Sequence, residues 1–306
     1  MTQLDIPNPQ VEKFLAIPLP TEPDGFVDFW QSSYQEARAI PTRITKRAIP
    51  SPRPQWELYE IEFDSLSGVR IGGWLTVPKG VSVRRGLVYG HGYGGRDAAD
   101  FYPPGPPAVC IFPCARGFDR SAHPRIPNTG GAHVLHGIEK KENYSHRGSA
   151  ADIWCAANAL LELFPEAGAQ LDYIGCSFGG GIGALSIPWD SRFHQTYLDV
   201  PSFGNHPVRL TIPCAGSGEA VRLLHEKKPE IAKVLSYFDA ASSARHFTIP
   251  VFVSAALSDP VVPPEGQFAV YKAIPGKKEL YVRTIGHPDD PRESAAIFKR
   301  LHQWFA

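Results

Sequence analysis

The sequence carries no net charge, since 31 lysines and arginines are offset by 31 aspartates and glutamates. Nothing draws such a chain generally toward a polyanion, which argues against nucleic acid or an acidic lipid surface as a partner. It also lacks any apolar run approaching the ~18 residues of a membrane helix, so the expectation is a soluble protein without a membrane partner. Cysteine is sparse and odd in number, five in 306 residues, a pattern that suits free thiols better than a disulfide framework. The opening MTQLDIPNPQVEKF has neither a basic start nor an apolar stretch of signal-peptide type, and a cytoplasmic location is expected from it. Repeats and linker-like segments are missing too, which points to one domain over residues 1–306.

Proline is what the chain has in excess, 30 residues, about twice the usual ~5% share, yet with 28 glycines the total stays below a low-complexity composition. Residues 1–50 are proline-rich but hold Phe26, Phe29, Trp30 and Tyr34 at spacings of three and four, one helical face, and so form an arm expected to pack on the body. From Trp56 to Val77 the alternation, broken at Ser67-Gly68, predicts an antiparallel hairpin. Short apolar runs over 86–89, 108–112, 171–174, 197–200, 251–255 and 280–285 suit buried parallel strands. Helices are expected between them: one from Ser149, with Asp152 at capping-box spacing, and others near 181–187, 219–236, 264–274 and 291–305. Strands alternating with helices predict an α/β fold, a mostly parallel sheet with helices on both faces. Residues 115–147 and 201–218 resist periodic assignment and read as lid or binding loops.

Gly175-Cys176-Ser177-Phe178-Gly179 is a G-x-S-x-G sequence between an apolar strand and a glycine-rich helix start, the setting of a nucleophile elbow. The flanking glycines matter because a tight, strained turn leaves no room for side chains there. A serine needs a base and an orienting acid, in the chain order Ser, Asp or Glu, His. Asp259 follows the strand at 251–255 and His287 follows the strand at 280–285, both at the carboxyl ends where chemistry gathers in such sheets. Asp289 and Asp290 are rival acids, but their closeness to the histidine suits a helix start. Oxyanion donors are expected from the backbone N–H groups of Phe178, next to the serine, and Tyr93, in His91-Gly92-Tyr93-Gly94-Gly95.

Other reactive side chains read as structural. Cys110 and Cys114 have no second pair to complete a metal site, His123, His133, His136 and His146 lack ligand spacing, Cys176 suits a small buried residue, and His91 suits a packed loop histidine. No metal site is expected from them.

With those residues in place, the chain resembles the acetyl xylan esterase and cephalosporin C deacetylase family, carbohydrate esterase family seven, of the α/β-hydrolase fold. The resemblance lies in Asp24-Gly25-Phe26 with Phe29-Trp30, Gly72-Gly73-Trp74-Leu75, His91-Gly92-Tyr93, Arg116-Gly117, His136-Gly137-Ile138 with Tyr144 and Arg147, the Ser177 elbow, Leu235-Ser236-Tyr237-Phe238-Asp239, Asp259 with Pro263-Pro264, and Gly286-His287. It implies Ser177, Asp259 and His287 as the triad, Tyr93 and Phe178 as oxyanion donors, removal of acetyl groups from sugars or cephalosporins, no cofactor, and often a ring-shaped hexamer inside the cell. Departures cluster near the site: Phe178 stands where the family has glutamine after the nucleophile, Phe118-Asp119 where its Arg-Gly-Gln-Gly motif ends in Gln-Gly, Cys114-Ala115-Arg116 where it has Asp-Val-Arg, and Pro288 where it has glutamate. The stretch after Tyr93 looks shortened, with Pro103-Pro104-Gly105-Pro106-Pro107 near where a helix and strand join. Arg116 and Phe118 are candidate substrate-pocket residues on this resemblance. Phe118 and Phe178 either line the acyl site, favouring acetyl over butyryl, or plug the core under the elbow.

The expectation is a serine carboxylesterase acting on short acyl esters, foremost acetylated carbohydrate. A hydrolase of another ester, thioester or lactone is the second reading, and a catalytically silent binding or assembly protein the third.

Overall fold

A computed structural model describes residues 8–288 and 290–306. Among these, nine strands form one sheet: β1 Thr45–Ile49, β2 Trp56–Asp64, β3 Arg70–Pro78, β4 Arg85–Gly90, β5 Val109–Pro113, β6 Gln170–Cys176, β7 Phe193–Asp199, β8 Val251–Ala256 and β9 Lys278–Arg283. The helices are α1 Pro9–Ala16, α2 Phe26–Arg38, α3 Gly130–His133, α4 Ser145–Leu163, α5 Phe178–Ser186, α6 His206–Arg209, α7 Gly218–Lys227, α8 Ile231–Leu235, α9 Ala240–Ala244, α10 Pro264–Ala273 and α11 Pro291–Trp304. The strand order is β1-β2-β3-β5-β4-β6-β7-β8-β9. Strands β1, β2 and β3 run antiparallel, β3 meets β5 antiparallel, and every later pair is parallel. The chain leaves β4 for β5 on one side and returns to β6 on the other, a topological switch that opens a crevice at the carboxyl ends of β4 and β6.

Both sheet faces are covered, as alternating apolar residues require. Leu171 and Tyr173 of β6 join the larger core with Trp154 of α4, Ile182 of α5 and Phe268 of α10. On the other face Tyr197 and Phe252 pack with Ile297, Leu301 and Trp304 of α11. The N-terminal arm is bound to this body: Trp30 Nε1 donates to the Tyr237 carbonyl at 2.9 Å, and Phe14 stacks on Phe268 with ring centroids 4.9 Å apart.

Two expectations need correction, and one strand was not foreseen. The helix expected from Ser149 begins at Ser145, after Tyr144, and Asp152 caps nothing; it is a buried ion-pair partner of Arg116 inside α4. The helix expected over 219–236 is interrupted around Pro229, whose ring cannot supply an N–H to a continuing helix, giving α7 and α8. Strand β1 has mostly exposed, polar residues and no alternation, so it carried no periodic signal. The connection from β4 to β5 runs without a helix. Its carbonyls Pro104 and Pro106 accept from Arg85 Nη1 at 2.7 and 3.1 Å, and Arg85 Nε pairs with Asp172 at 2.7 Å.

Candidate active site

Ser177 sits between β6 and α5 with φ 53 and ψ −112, a left-handed backbone that is strained for a residue with a side chain. Its surroundings hold it there. The Ser177 N–H donates to the Asp199 carbonyl at 2.8 Å, and its own carbonyl accepts from Gly181 at 2.9 Å and Ser202 at 3.1 Å. A Cβ on Gly175 would lie 2.5 Å from the Gly179 carbonyl oxygen, and one on Gly179 would lie 2.6 Å from the carbonyl carbon of Gly90. Only glycine at both positions lets the elbow close and lets the β4 loop approach it.

Asp259, in the loop after β8, accepts four hydrogen bonds. Oδ1 takes the N–H groups of Val261 and Val262 at 2.8 and 2.9 Å, and Oδ2 takes Gln267 Nε2 and His287 Nδ1, each at 3.0 Å. Burial alone would raise this carboxyl, but the bonds from His287, Val262 and Val261 outweigh it and hold the pKa below the usual value. An ionised carboxylate only accepts, so the imidazole proton is on Nδ1 and the lone pair on Nε2 is the basic one. The approach of the two loops again requires glycine: a Cβ on Gly286 would lie 2.4 Å from the Ser258 carbonyl oxygen.

Ser177, His287 and Tyr93 line one cavity of about 440 Å³, at the crevice where the β4 and β6 loops meet. Phe178 is the first residue of α5, where N–H groups lack intrahelical acceptors. Its ring is buried and stacks on Tyr93 at 4.1 Å, while the Tyr93 hydroxyl meets His133 Nδ1 at 3.1 Å and His146 Nε2 at 3.3 Å. The two residues whose N–H groups were assigned to the oxyanion are thus locked ring to ring. Burial pushes His133 down to about 3 and His146 well below its ordinary value, so both are neutral near pH 7.

The two pocket candidates lie elsewhere. Arg116 is buried against Asp152, with Nη2–Oδ1 2.7 Å and Nε–Oδ2 3.0 Å, and ties the loop after β5 to α4. Phe118 is buried against Tyr93 and His133, at 5.7 and 5.2 Å between centroids, as a plug beneath the β4 loop. Neither is on the cavity wall, and neither is the Phe178 ring. Cys176, read as buried, is half-buried and reaches that wall. Cys110 and Cys114 are buried, their thiols pushed up by that burial to about 12 and about 11. His91 is a packed loop residue: Nδ1 donates to the Gly92 carbonyl at 2.7 Å and Nε2 accepts the Ala115 N–H at 2.8 Å. Of the rival acids, Asp290 caps α11 through the N–H groups of Arg292 and Glu293, and Asp289 lies outside the described residues.

Two contributors were not foreseen. Gln267, with no exposed surface, donates to Asp259 and to the Val262 carbonyl while its Oε1 accepts the Ala256 N–H at 2.8 Å. Arg283 joins Asp199 at 3.1 Å, Glu293 at 3.4 Å and the Pro288 carbonyl at 3.4 Å, fastening the His287 loop to α11 and to the strand end that holds the Ser177 N–H. A polar residue directly before the apolar stretch Phe268-Ala269-Val270 was the one available signal for Gln267.

The family model "Acetyl xylan esterase (AXE1)" matches residues 1–304. Acetyl esterase Axe7A of Xylanibacter ruminicola is 21% identical over 289 residues, which is 89% of this chain, and the chain spans 64% of that relative's length. The structure of the acetyl xylan esterase from Paenibacillus sp. R4 superposes with a TM-score of 0.82 at 20% identity, covering 98% of this chain and 100% of that one. Acetyl xylan esterase 1 from Thermoanaerobacterium sp. JW/SL YS485 gives 0.82 at 19% identity, covering 96% and 98%. At these identities the structural matches establish the α/β-hydrolase fold. With a family match running nearly end to end, the chain belongs to the acetyl xylan esterase family, a family of carboxylic ester hydrolases.

Proposed function

We propose that this chain is a serine carboxylesterase that removes acetyl groups from carbohydrate esters. The observation that carries the reading is the Asp259–His287 pair, 3.0 Å apart and with the free Nε2 lone pair, on a cavity that Ser177 and Tyr93 share with His287. In this mechanism the Ser177 hydroxyl attacks the ester carbonyl as His287 Nε2 takes its proton, and Asp259 stabilises the imidazolium. The tetrahedral oxyanion is received by the N–H groups of Tyr93 and Phe178. As the C–O bond to the alcohol breaks, His287 returns the proton to the leaving oxygen, leaving acetyl-Ser177. Water, deprotonated by His287, then attacks the acyl-enzyme, and acetate departs as the proton returns to Ser177.

The acetyl-carbohydrate assignment is supported by family membership and by room in the cavity for an alcohol half larger than the acyl group. The test is a substrate panel with purified protein: acetylated xylo-oligosaccharides, cephalosporin C, 4-nitrophenyl acetate and butyrate, and an acyl thioester. Acetate release from the oligosaccharides, with kcat/KM above that for the thioester, is expected. Turnover confined to the thioester or to long acyl chains would replace the carbohydrate reading with that of another hydrolase on the same scaffold.

A further inference from the structure

The cavity that holds Ser177 and His287 contains no aspartate or glutamate among its described lining residues, and one of them is an arginine. Arg209, at the end of α6, is only 8% exposed. Its Nη1 donates to the Ile212 carbonyl at 3.3 Å and its Nη2 to Cys214 Sγ at 3.4 Å, both neutral acceptors. Among the described residues no carboxylate lies within ion-pair distance, although a guanidinium taken out of water normally requires one. Glu219 feels the field of Arg209, but its oxygens are already held by Arg222, at 2.6 and 3.0 Å, and by the Cys214 N–H at 3.1 Å.

A second source of positive potential stands beside the first. The ten-residue helix α7 begins at Gly218, and a Cβ there would lie 2.0 Å from Arg209 Nη2, so the guanidinium is packed directly against that helix start. Cation and helix N-terminus repel each other; Glu219 in the first turn of α7 answers the helix but is tied to Arg222 and the Cys214 N–H, so an anion beside Arg209 relieves what is left. Besides His287, the wall carries His206, whose pKa is lowered by burial, so that it does not compete for that role near pH 7. The thiol of Cys214, the carbonyl of Ile212 and the absence of a side chain at Gly218 leave a guanidinium held in place but not neutralised.

We infer that Arg209 is a specificity-determining residue that binds a carboxylate on the substrate, so that the preferred substrates are acetyl esters whose alcohol half carries an acid group, such as an acidic sugar. This rests on the esterase reading above. An acetyl group takes up a small part of a cavity of about 440 Å³, so a charge on its wall serves chiefly the alcohol half. A guanidinium matches a carboxylate with two parallel hydrogen bonds, which a neutral amide cannot reproduce.

The matched probes are 4-acetoxybenzoate and 4-acetoxybenzamide, which differ in charge and little in shape. Binding is measured by calorimetry to Ser177→Ala protein, which cannot turn them over. The acid is expected to bind at least about tenfold more tightly than the amide, the size of one charge-assisted hydrogen bond, and adding Arg209→Gln is expected to remove that difference. Equal affinity for the two probes overturns the inference, and so does a difference that survives Arg209→Gln. Should the double variant not fold, the kcat/KM ratio of acid to amide in the wild-type protein decides: about ten or more supports the assignment, and one or less overturns it. Because binding is read without turnover, failure of this inference is separate from failure of the esterase reading, which would appear as no hydrolysis of either ester by the wild-type protein.

Discussion

Each oxygen of Asp259 accepts two hydrogen bonds, and the one from Gln267 shares an oxygen with His287, so the glutamine sets where that oxygen lies and with it the imidazole plane. Gln267→Leu should therefore lower kcat by about tenfold or more with a smaller change in KM, and should also cost about 1–3 kcal/mol of stability by orphaning the Ala256 N–H; steady-state kinetics and chemical denaturation check the two parts. An unchanged kcat would contradict a positioning role. Asp259 itself is not expected to limit activity in mild acid. Its folded pKa is depressed, so its contribution is fully present above the ordinary carboxylate value and is lost only as pH falls through the lower folded value. At this scale Ser177, Asp259 and His287 were legible because turn chemistry and strand ends are local signals. Gln267, Arg283 and Arg209 were not, because a buried polar side chain acquires its role from partners remote in sequence.

Among the elements, the β4 loop, the loop after β5, α3 and the start of α5 share one aromatic cluster of Tyr93, Phe118, His133 and Phe178. It explains how apolar rings can stand where the family has glutamines: they fill volume behind the loop and face away from the cavity. Phe118→Leu should accordingly destabilise the fold by about 1–3 kcal/mol, read by calorimetry. The acetyl-to-butyryl ratio of kcat/KM should stay within roughly twofold, well short of the effect of a misfit methylene in an acyl pocket. A large shift in that ratio would return Phe118 to the acyl site. The strands and the later helices were readable from apolar runs and proline punctuation. The start of α4 was not: Ser149 and Asp152 have capping-box spacing, but Asp152 answers to Arg116, a partner 36 residues earlier that no local pattern reveals.

At the scale of the whole molecule, the fold keeps several histidines buried and neutral, and this makes its stability sensitive to acid. Burial lowers the pKa of His91, His133, His146 and His206, His133 to about 3. Below the ~6.5 of an exposed histidine the unfolded chain binds protons that the folded chain refuses, so stability falls with pH; for His133 the loss approaches about 1.4 kcal/mol per pH unit down toward its folded value, and His91, His146 and His206 act in the same direction. The melting temperature should drop steadily from pH 7 to pH 5, and a flat profile would contradict burial of the cluster. The α/β architecture follows from alternation of strand and helix signals, whereas the assembly of one cavity from the β4 loop, the elbow and residues 201–218 is a product of topology. The central claim is that Ser177 is the nucleophile on that cavity, and it is tested most directly by the turnover of 4-nitrophenyl acetate by Ser177→Ala protein with an intact fold. A loss in kcat on the order of 10⁴ to 10⁶ is predicted, and retention of most of the wild-type rate would contradict the account.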